Sequence, residues 1–288
     1  MIGAVGHGTE GELDMEERVG AEKQGLPLSS ELMLLIHATS PEVAAYLQRS
    51  RAIAIPLGST EQHGPVGLIG TDTLAAEAVA HGLGERLGVL VGPSVGLSVA
   101  QFNLGFAGTV SIRARTLMAL LEDYVLSLAR QGFERFYFVN GHGANIAPAR
   151  AAFQDIYARW SLGTMPGHAP RCRLRSWWEY PAADALRKRW YGDGEGMHAT
   201  PSEISITLHV LPGSDRAVAA PRPPALPAAF LRDHGGDNHW DAATHRGQFA
   251  DGRVGSDSAL AHAEHGRELL AAAIDGACDD FTAFLEEA

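Results

Sequence analysis

Phe133-Glu-Arg-Phe-Tyr-Phe-Val139 runs straight into Asn140-Gly-His-Gly-Ala-Asn145, and a helical stretch follows from Ile146 to Trp160. The first segment is apolar and aromatic over a strand's length, the second is polar and glycine-rich, and the third has a helix's period. In that order they form the repeating unit of an open parallel sheet, where sites form at the carboxyl ends of strands. His142 stands in this loop between two glycines, with nothing bulky to shield it. A structural histidine usually lies inside an element, so a ligand role is the favoured reading.

The same arrangement occurs upstream. Residues 51–57 read as a buried strand that stops at Gly58 and Ser59, and the loop beyond it delivers Glu61, His63 and Asp72. Glu61 and His63 are spaced i, i+2, which puts both side chains on one face of an extended backbone. A carboxylate, an imidazole and a second carboxylate that converge are ligands for a divalent transition ion. A lone Glu-x-His is ordinarily just a polar loop; a second loop of the same kind changes that reading. Asp72 also opens the helical run Leu74–Leu87, so a plain helix cap is the competing account of Asp72 alone.

Around these two units the chain continues the alternation. Ser40-Pro41-Glu42 predicts a helix start, with Ser40 as cap. Val89–Val91 and Thr109–Ile112 read as short strands, and Thr116–Gln131 as an amphipathic helix ending at Gly132. Arg171–Trp177 alternates like a strand, so the adjacent Trp177 and Trp178 are expected on opposite faces: both in core or interface packing is the commoner outcome, one lining a pocket the alternative. Met197-His-Ala-Thr-Pro-Ser-Glu203 opens a helix to about Leu211, with Ser202 or Thr200 as cap. Read alone, Glu203 is a first-turn carboxylate and His198 a loop histidine. Residues 213–257 are rich in proline, glycine, aspartate and histidine, a lid or subunit contact by length. His234, Asp237, His239 and His245 within them read as an ordinary surface loop. Ser258 to Phe284 predicts a long helix, broken at Gly276.

The chain has 288 residues, 45% hydrophobic and 20% charged, the composition of an ordinary globular protein with ample core. A net charge of −11 argues against nucleic acid as a partner. Cys172 and Cys278 make no disulfide framework, no apolar run approaches the roughly 20 residues of a membrane span, and the acidic start is unlike a signal peptide. A cytoplasmic protein without membrane partner is expected. Residues 1–28 are acidic and glycine-rich and read as a flexible arm, or one that packs on a neighbouring subunit; residues 29–288 read as a single domain.

Taken together, Pro56-Leu-Gly-Ser-Thr-Glu-Gln-His-Gly-Pro65 with Thr71-Asp72, Phe106-Ala-Gly-Thr109, Asn140-Gly-His-Gly-Ala-Asn145, His198-x4-Glu203 and Asp251-Gly-Arg-Val-Gly-Ser-Asp257 resemble the creatininase (creatinine amidohydrolase) family. The resemblance implies a three-layer α/β/α fold with a mostly parallel central sheet. It further implies a homo-oligomer, frequently a hexamer, and two divalent ions per subunit: zinc, manganese or iron. Carried over, Glu61, His63, Asp72 and His142 are metal ligands, with Asp72 bridging. Creatininase itself has a glutamate where this chain has Ala144, and members with a small residue there draw the fifth ligand from the later segment, here Glu203. His198 matches the family's proton-shuttling histidine.

The implied chemistry is hydrolysis of a non-peptide C–N bond in a small molecule, a cyclic amide or formamide, by a hydroxide bridging the two ions, with His198 protonating the leaving nitrogen. Two departures concern recognition. Val66-Gly67-Leu68 replaces the family's common His-Leu-Pro, and Asn103 stands where a histidine often precedes the Phe-Pro-Gly-Thr motif. Both remove imidazoles near the pocket, so creatinine itself is not the expected substrate, and Val66, Asn103, Trp177 and Trp178 are the candidate pocket residues. The alternatives are a deformylase, a peptide-trimming enzyme, a hydrolase of a cyclic carbonyl compound, or a non-catalytic metal-binding protein.

Overall fold

The computed structural model describes residues 33–216, 218 and 220–287; the arm expected over 1–28 lies outside them. At the centre is a parallel sheet of four strands, β1 (Ala52–Leu57), β2 (Leu90–Val91), β3 (Arg135–Asn140) and β4 (Arg171–Ser176), in the order β2-β1-β3-β4. β1 reads Ala-Ile-Ala-Ile-Pro-Leu and every residue of it is buried, as expected of a strand covered on both faces. Pro56 is tolerated because no neighbouring strand needs its missing N–H at that position.

The helices are α1 (Ser40–Leu47), α2 (Thr71–Leu87), α3 (Ala114–Ala129), α4 (Ile146–Ser161), α5 (Pro181–Tyr191), α6 (Pro201–Val210), α7 (Ala228–Asp233), α8 (Ala242–Gln248) and α9 (Ala263–Glu286). Alternate strand residues send their side chains into two separate cores. Ile53, Ile55, Leu57, Phe136 and Phe138 pack against α3 and α4 through Leu117, Leu121 and Phe153. Ala52, Ala54, Tyr137 and Val139 face α2, α6 and α9 through Val79, Leu83, Ile206, Leu269 and Phe281. The result is the expected three-layer α/β/α sandwich with a parallel sheet.

The topology fixes where a site forms. From β1 the chain crosses to β2 on one side and returns to β3 on the other, so the order reverses between β1 and β3. Their carboxyl ends are level, Leu57 pairing with Asn140. The loops leaving them splay apart at this switch point and open a crevice. These are the two loops that carry Glu61, His63 and His142.

Some local expectations are corrected. Thr109–Ile112 forms no strand; Val110 makes one isolated bridge to Thr60, and Thr109 Oγ1 accepts from the Gln62 N–H, so the segment pins the Glu61 loop. The cap of α1 is Thr39 rather than Ser40, because Glu42 closes a capping box on Thr39. Trp177 and Trp178 lie in a short 3-10 turn after β4, their rings edge to face at 5.7 Å, rather than on the strand. α9 begins at Ala263 and runs unbroken through Gly276, where the Tyr180 ring packs so close that a Cβ would meet it at 2.6 Å. No described helix is long and apolar enough to cross a membrane.

Candidate metal centre

The β1 loop, the first turn of α2, the β3 loop and the N-terminus of α6 meet at the switch point. Among the described residues they assemble three buried donor groups: Glu61, Asp72 and His142; His63, Asp72 and Glu203; and Glu61, His63 and His198. Within each group the ligand atoms lie within 4.8 Å of one another. Asp72 belongs to the first two groups. Closeness of the β3 loop to α2 depends on Gly141, since a Cβ there would strike the carbonyl oxygen of Asp72.

The two imidazoles are held in the same way. His63 Nδ1 lies 3.0 Å from the carbonyl oxygen of Glu61 and must donate to it, since that oxygen can only accept. Its Nε2 then faces Asp72 Oδ1 at 2.9 Å. His142 Nε2 donates to the Val99 carbonyl at 2.8 Å, and its Nδ1 faces Glu61 Oε1 at 3.1 Å and Asp72 Oδ2 at 3.2 Å. In each ring one nitrogen is anchored to the backbone and the other points at carboxylates, the arrangement that fixes a ligating histidine's tautomer.

A bare nitrogen lone pair against a carboxylate is repulsive, so a cation must stand between them. In the absence of metal that cation is a proton. Burial alone lowers the pKa of His63, but the facing Asp72 outweighs it and holds the ring up at about 10. His142 is likewise raised well above the usual range: burial opposes protonation, and Glu61 and Asp72 overcome it. Glu61 Oε1 and Asp72 Oδ2 are buried with no well-aligned hydrogen bond, and both face the single nitrogen His142 Nδ1. Carboxylate oxygens opposite backbone-anchored imidazoles fit a divalent-metal centre, and the mixed N and O donors suit zinc, manganese or iron.

Glu203 serves two purposes. Its Oε1 accepts from the Thr200 N–H at 2.5 Å, closing the capping box of α6, and lies 3.8 Å from His63 Nε2. Burial pushes its pKa up to about 8. His198 donates from Nε2 to the Gln62 carbonyl at 2.7 Å, which leaves Nδ1 bare, 3.5 Å from Glu61 Oε1. Burial, with His63 beside it, keeps His198 well below the usual imidazole range. It sits next to Ala199, which holds a left-handed φ of 58°.

A cavity of about 180 Å³ opens beside the cluster, lined by Asp72, His142, Trp177, Trp178, His198 and Glu203 among others. Val66 and Asn103 lie outside this lining. Asn103 is fully buried and holds the ligand loop instead, its Nδ2 donating to Glu61 Oε2 at 2.9 Å and its Oδ1 accepting from Gln62 Nε2 at 2.7 Å.

Residues 37–281 match the sequence profile of the creatininase (creatinine amidohydrolase) family. The chain belongs to the creatininase family. A crystal structure of creatinine amidohydrolase (creatininase) superposes with a TM-score of 0.75, covering 89% of this chain and 99% of that one at 23% identity. That likeness shows the creatininase fold. Among curated proteins, the mycofactocin precursor peptide peptidase of Mycobacterium ulcerans is 33% identical over 170 residues, 56% of this chain and 59% of the relative. Creatinine amidohydrolase of Pseudomonas putida is 36% identical over 98 residues, 32% of this chain and 38% of the relative. The chain thus spans less than two thirds of the length of these curated relatives. In this creatininase-family chain the buried, overlapping donor groups form a candidate divalent-metal site.

Sequence reasoning missed one feature of this creatininase-family site. The segment 213–257 contributes Asp237 to the cavity lining rather than to an ordinary surface loop, and His239 and His245 are buried behind it. They pack with Phe102, whose ring is 4.8 Å from His239 and 5.0 Å from His245. No period or motif in that segment marks these residues; only Gly236 before Asp237 hints at a tight turn.

Proposed function

We infer that this chain is a metal-dependent hydrolase that trims short peptides at an amide bond. One observation carries the reading: the groups Glu61–Asp72–His142 and His63–Asp72–Glu203 share Asp72 in a buried cluster beside a cavity. Each group would hold one divalent ion, with Asp72 common to both. When bound, such ions supply the Lewis acidity that polarises a carbonyl and makes water a nucleophile at neutral pH.

The chain's own side chains do the rest. Glu61, His63, Asp72, His142 and Glu203 fix the donor positions through the backbone anchors of the two imidazoles and the capping box of Glu203. His198, pinned at Nε2 by the Gln62 carbonyl, takes up a proton at Nδ1 and hands it to the leaving nitrogen. Burial, with His63 beside it, keeps Nδ1 unprotonated at rest. Trp177 and Trp178 wall the cavity and exclude water from one side.

The scissile bond is the finer question. The sequence pointed first to a cyclic amide or formamide, with peptide trimming as an alternative. Relatives described as mycofactocin precursor peptide peptidases align over 170 and 167 residues, against 98 for the creatinine amidohydrolase, and this favours the peptide bond.

The test pairs elemental analysis with a substrate panel of short linear peptides, creatinine, other cyclic amides and formamides, read by mass spectrometry. Two metal equivalents and peptide cleavage that His198→Ala abolishes without metal loss are the expected result. Turnover of cyclic amides alone restores the non-peptide reading. A fully loaded protein that cleaves nothing is a metal-binding protein without catalysis.

A further inference from the structure

Asp237 is out of place for a loop residue. Its side chain is only 10% exposed, it lines the cavity beside the cluster, and no hydrogen-bond donor among the described residues reaches either carboxylate oxygen. The nearest basic atoms are His142 Nδ1 and His239 Nε2, each at 3.9 Å. His239 Nε2 is itself buried without a partner. The backbone at Asp237 is left-handed, with a φ of 53°. Aspartate is among the few non-glycine residues that enter that region readily. The opposing wall is Gly143, and a Cβ there would strike Asp237 Oδ2. Gly143 therefore leaves room for this carboxylate over His142.

Asp237 belongs to none of the three donor groups and lines the cavity beside His142, its Oδ2 3.9 Å from His142 Nδ1. A carboxyl group held largely out of water without a donor is costly to ionise, and a ligand that supplies the donor recovers that cost. We propose that Asp237 is a substrate-binding residue that accepts from an N–H or ammonium group adjacent to the scissile carbonyl, making the site selective for acyl groups bearing an α-nitrogen. This deepens the amide-hydrolase reading and rests on it. Cyclic amides and formamides that lack such a nitrogen on the acyl side leave Asp237 unpaired, and an amino-acyl group does not. A buried acceptor discriminates strongly against an analogue that lacks its donor.

The test uses the metal-loaded protein and three hydroxamates that chelate the metal centre: phenylalanine hydroxamate, its N-acetyl derivative, and 3-phenylpropionohydroxamate, which has no α-nitrogen. Binding is measured by isothermal titration calorimetry for the wild type, Asp237→Asn and Asp237→Gly. Both variants accept a left-handed φ, and metal content reports that each is folded and loaded. The expected result is that one or both nitrogen-bearing compounds bind the wild type at least about tenfold more tightly than the third compound. Preference for the free amine identifies an ammonium, and preference for the acetylated form identifies an amide N–H. Asp237→Gly should reduce that ratio to near one, and Asp237→Asn should do so for the ammonium, with two metal equivalents retained in both.

Equal binding of all three by the wild type, or a preference that survives Asp237→Gly, overturns the proposal while leaving the hydrolase standing. Loss of metal in Asp237→Asn also overturns it, since the residue is then a ligand. A loaded wild type that binds none of the hydroxamates overturns the hydrolase reading and this inference together.

Discussion

Asp72 sits where the two main donor groups overlap, and its position follows from three local causes. It occupies the second position of α2, where the helix dipole favours a carboxylate; Gly141 lets the β3 loop reach its backbone; and His63 and His142 face its two oxygens. His63 and the proximity of His142 hold its carboxyl far below the usual range despite burial. Asp72→Asn should therefore empty both sites, with metal content falling from two equivalents toward zero by elemental analysis; Glu203→Gln should lose about one, because Glu203 belongs to one of those groups. Unchanged stoichiometry in Glu203→Gln would reduce that residue to its capping role. Glu61, His63, Asp72 and His142 were all legible as candidate ligands, because a glycine-rich loop after a strand exposes whatever side chains it carries. Glu203 was legible only through the family resemblance: alone it looks like a first-turn carboxylate, and structurally it is that as well.

At the scale of elements, the capping box of α6 places Glu203 in the candidate donor cluster. Thr200 caps the helix, and Glu203 Oε1 accepts from the Thr200 N–H. Thr200→Ala should cost about 1 kcal/mol in chemical denaturation and also loosen Glu203, weakening metal retention against a chelator. A stability loss with metal retention unchanged would separate the two roles. The segment carrying α7 and α8 contributes a pH dependence. Burial holds His245 down at about 4 among Phe102, Phe249 and His239. Its pKa when unfolded is the ordinary 6.5, so the unfolded chain binds the extra proton first as pH falls. Stability from this group is whole above 6.5 and is lost between 6.5 and about 4. Thermal melts across that range should show the decline, and His245→Phe should flatten it; an equal slope in the variant would show the decline arises elsewhere. The helices α2, α3 and α4 were readable from periodicity, because each buries one stripe against a sheet. Thr109–Ile112 was not, because β propensity there serves a bridge to the Glu61 loop rather than a ladder.

At the scale of the whole molecule, the donor groups join the β1 loop, α2, the β3 loop and α6, so bound metal cross-links elements far apart in sequence. An ion present at about a hundredfold excess over its Kd stabilises by about 2.7 kcal/mol. Two such ions should raise the melting temperature by roughly 10 °C or more, an increment that chelation removes and metal restores. A melting temperature indifferent to chelator would mean that the cluster is held by its protons alone.

The amino-acid sequence by itself determined the parallel α/β architecture, the family, and the loops at the ends of β1 and β3 as the place for chemistry. Those are local facts: a strand's apolar run, a glycine stop and a helical period all fall within a few residues of each other. Only the tertiary structure decided which side chains share a point in space. Asn103 supports Glu61 instead of lining the cavity, Glu203 reaches His63 while capping α6, and Asp237 enters from a segment without periodicity. Each depends on how distant elements pack, and packing distance is not written in sequence spacing.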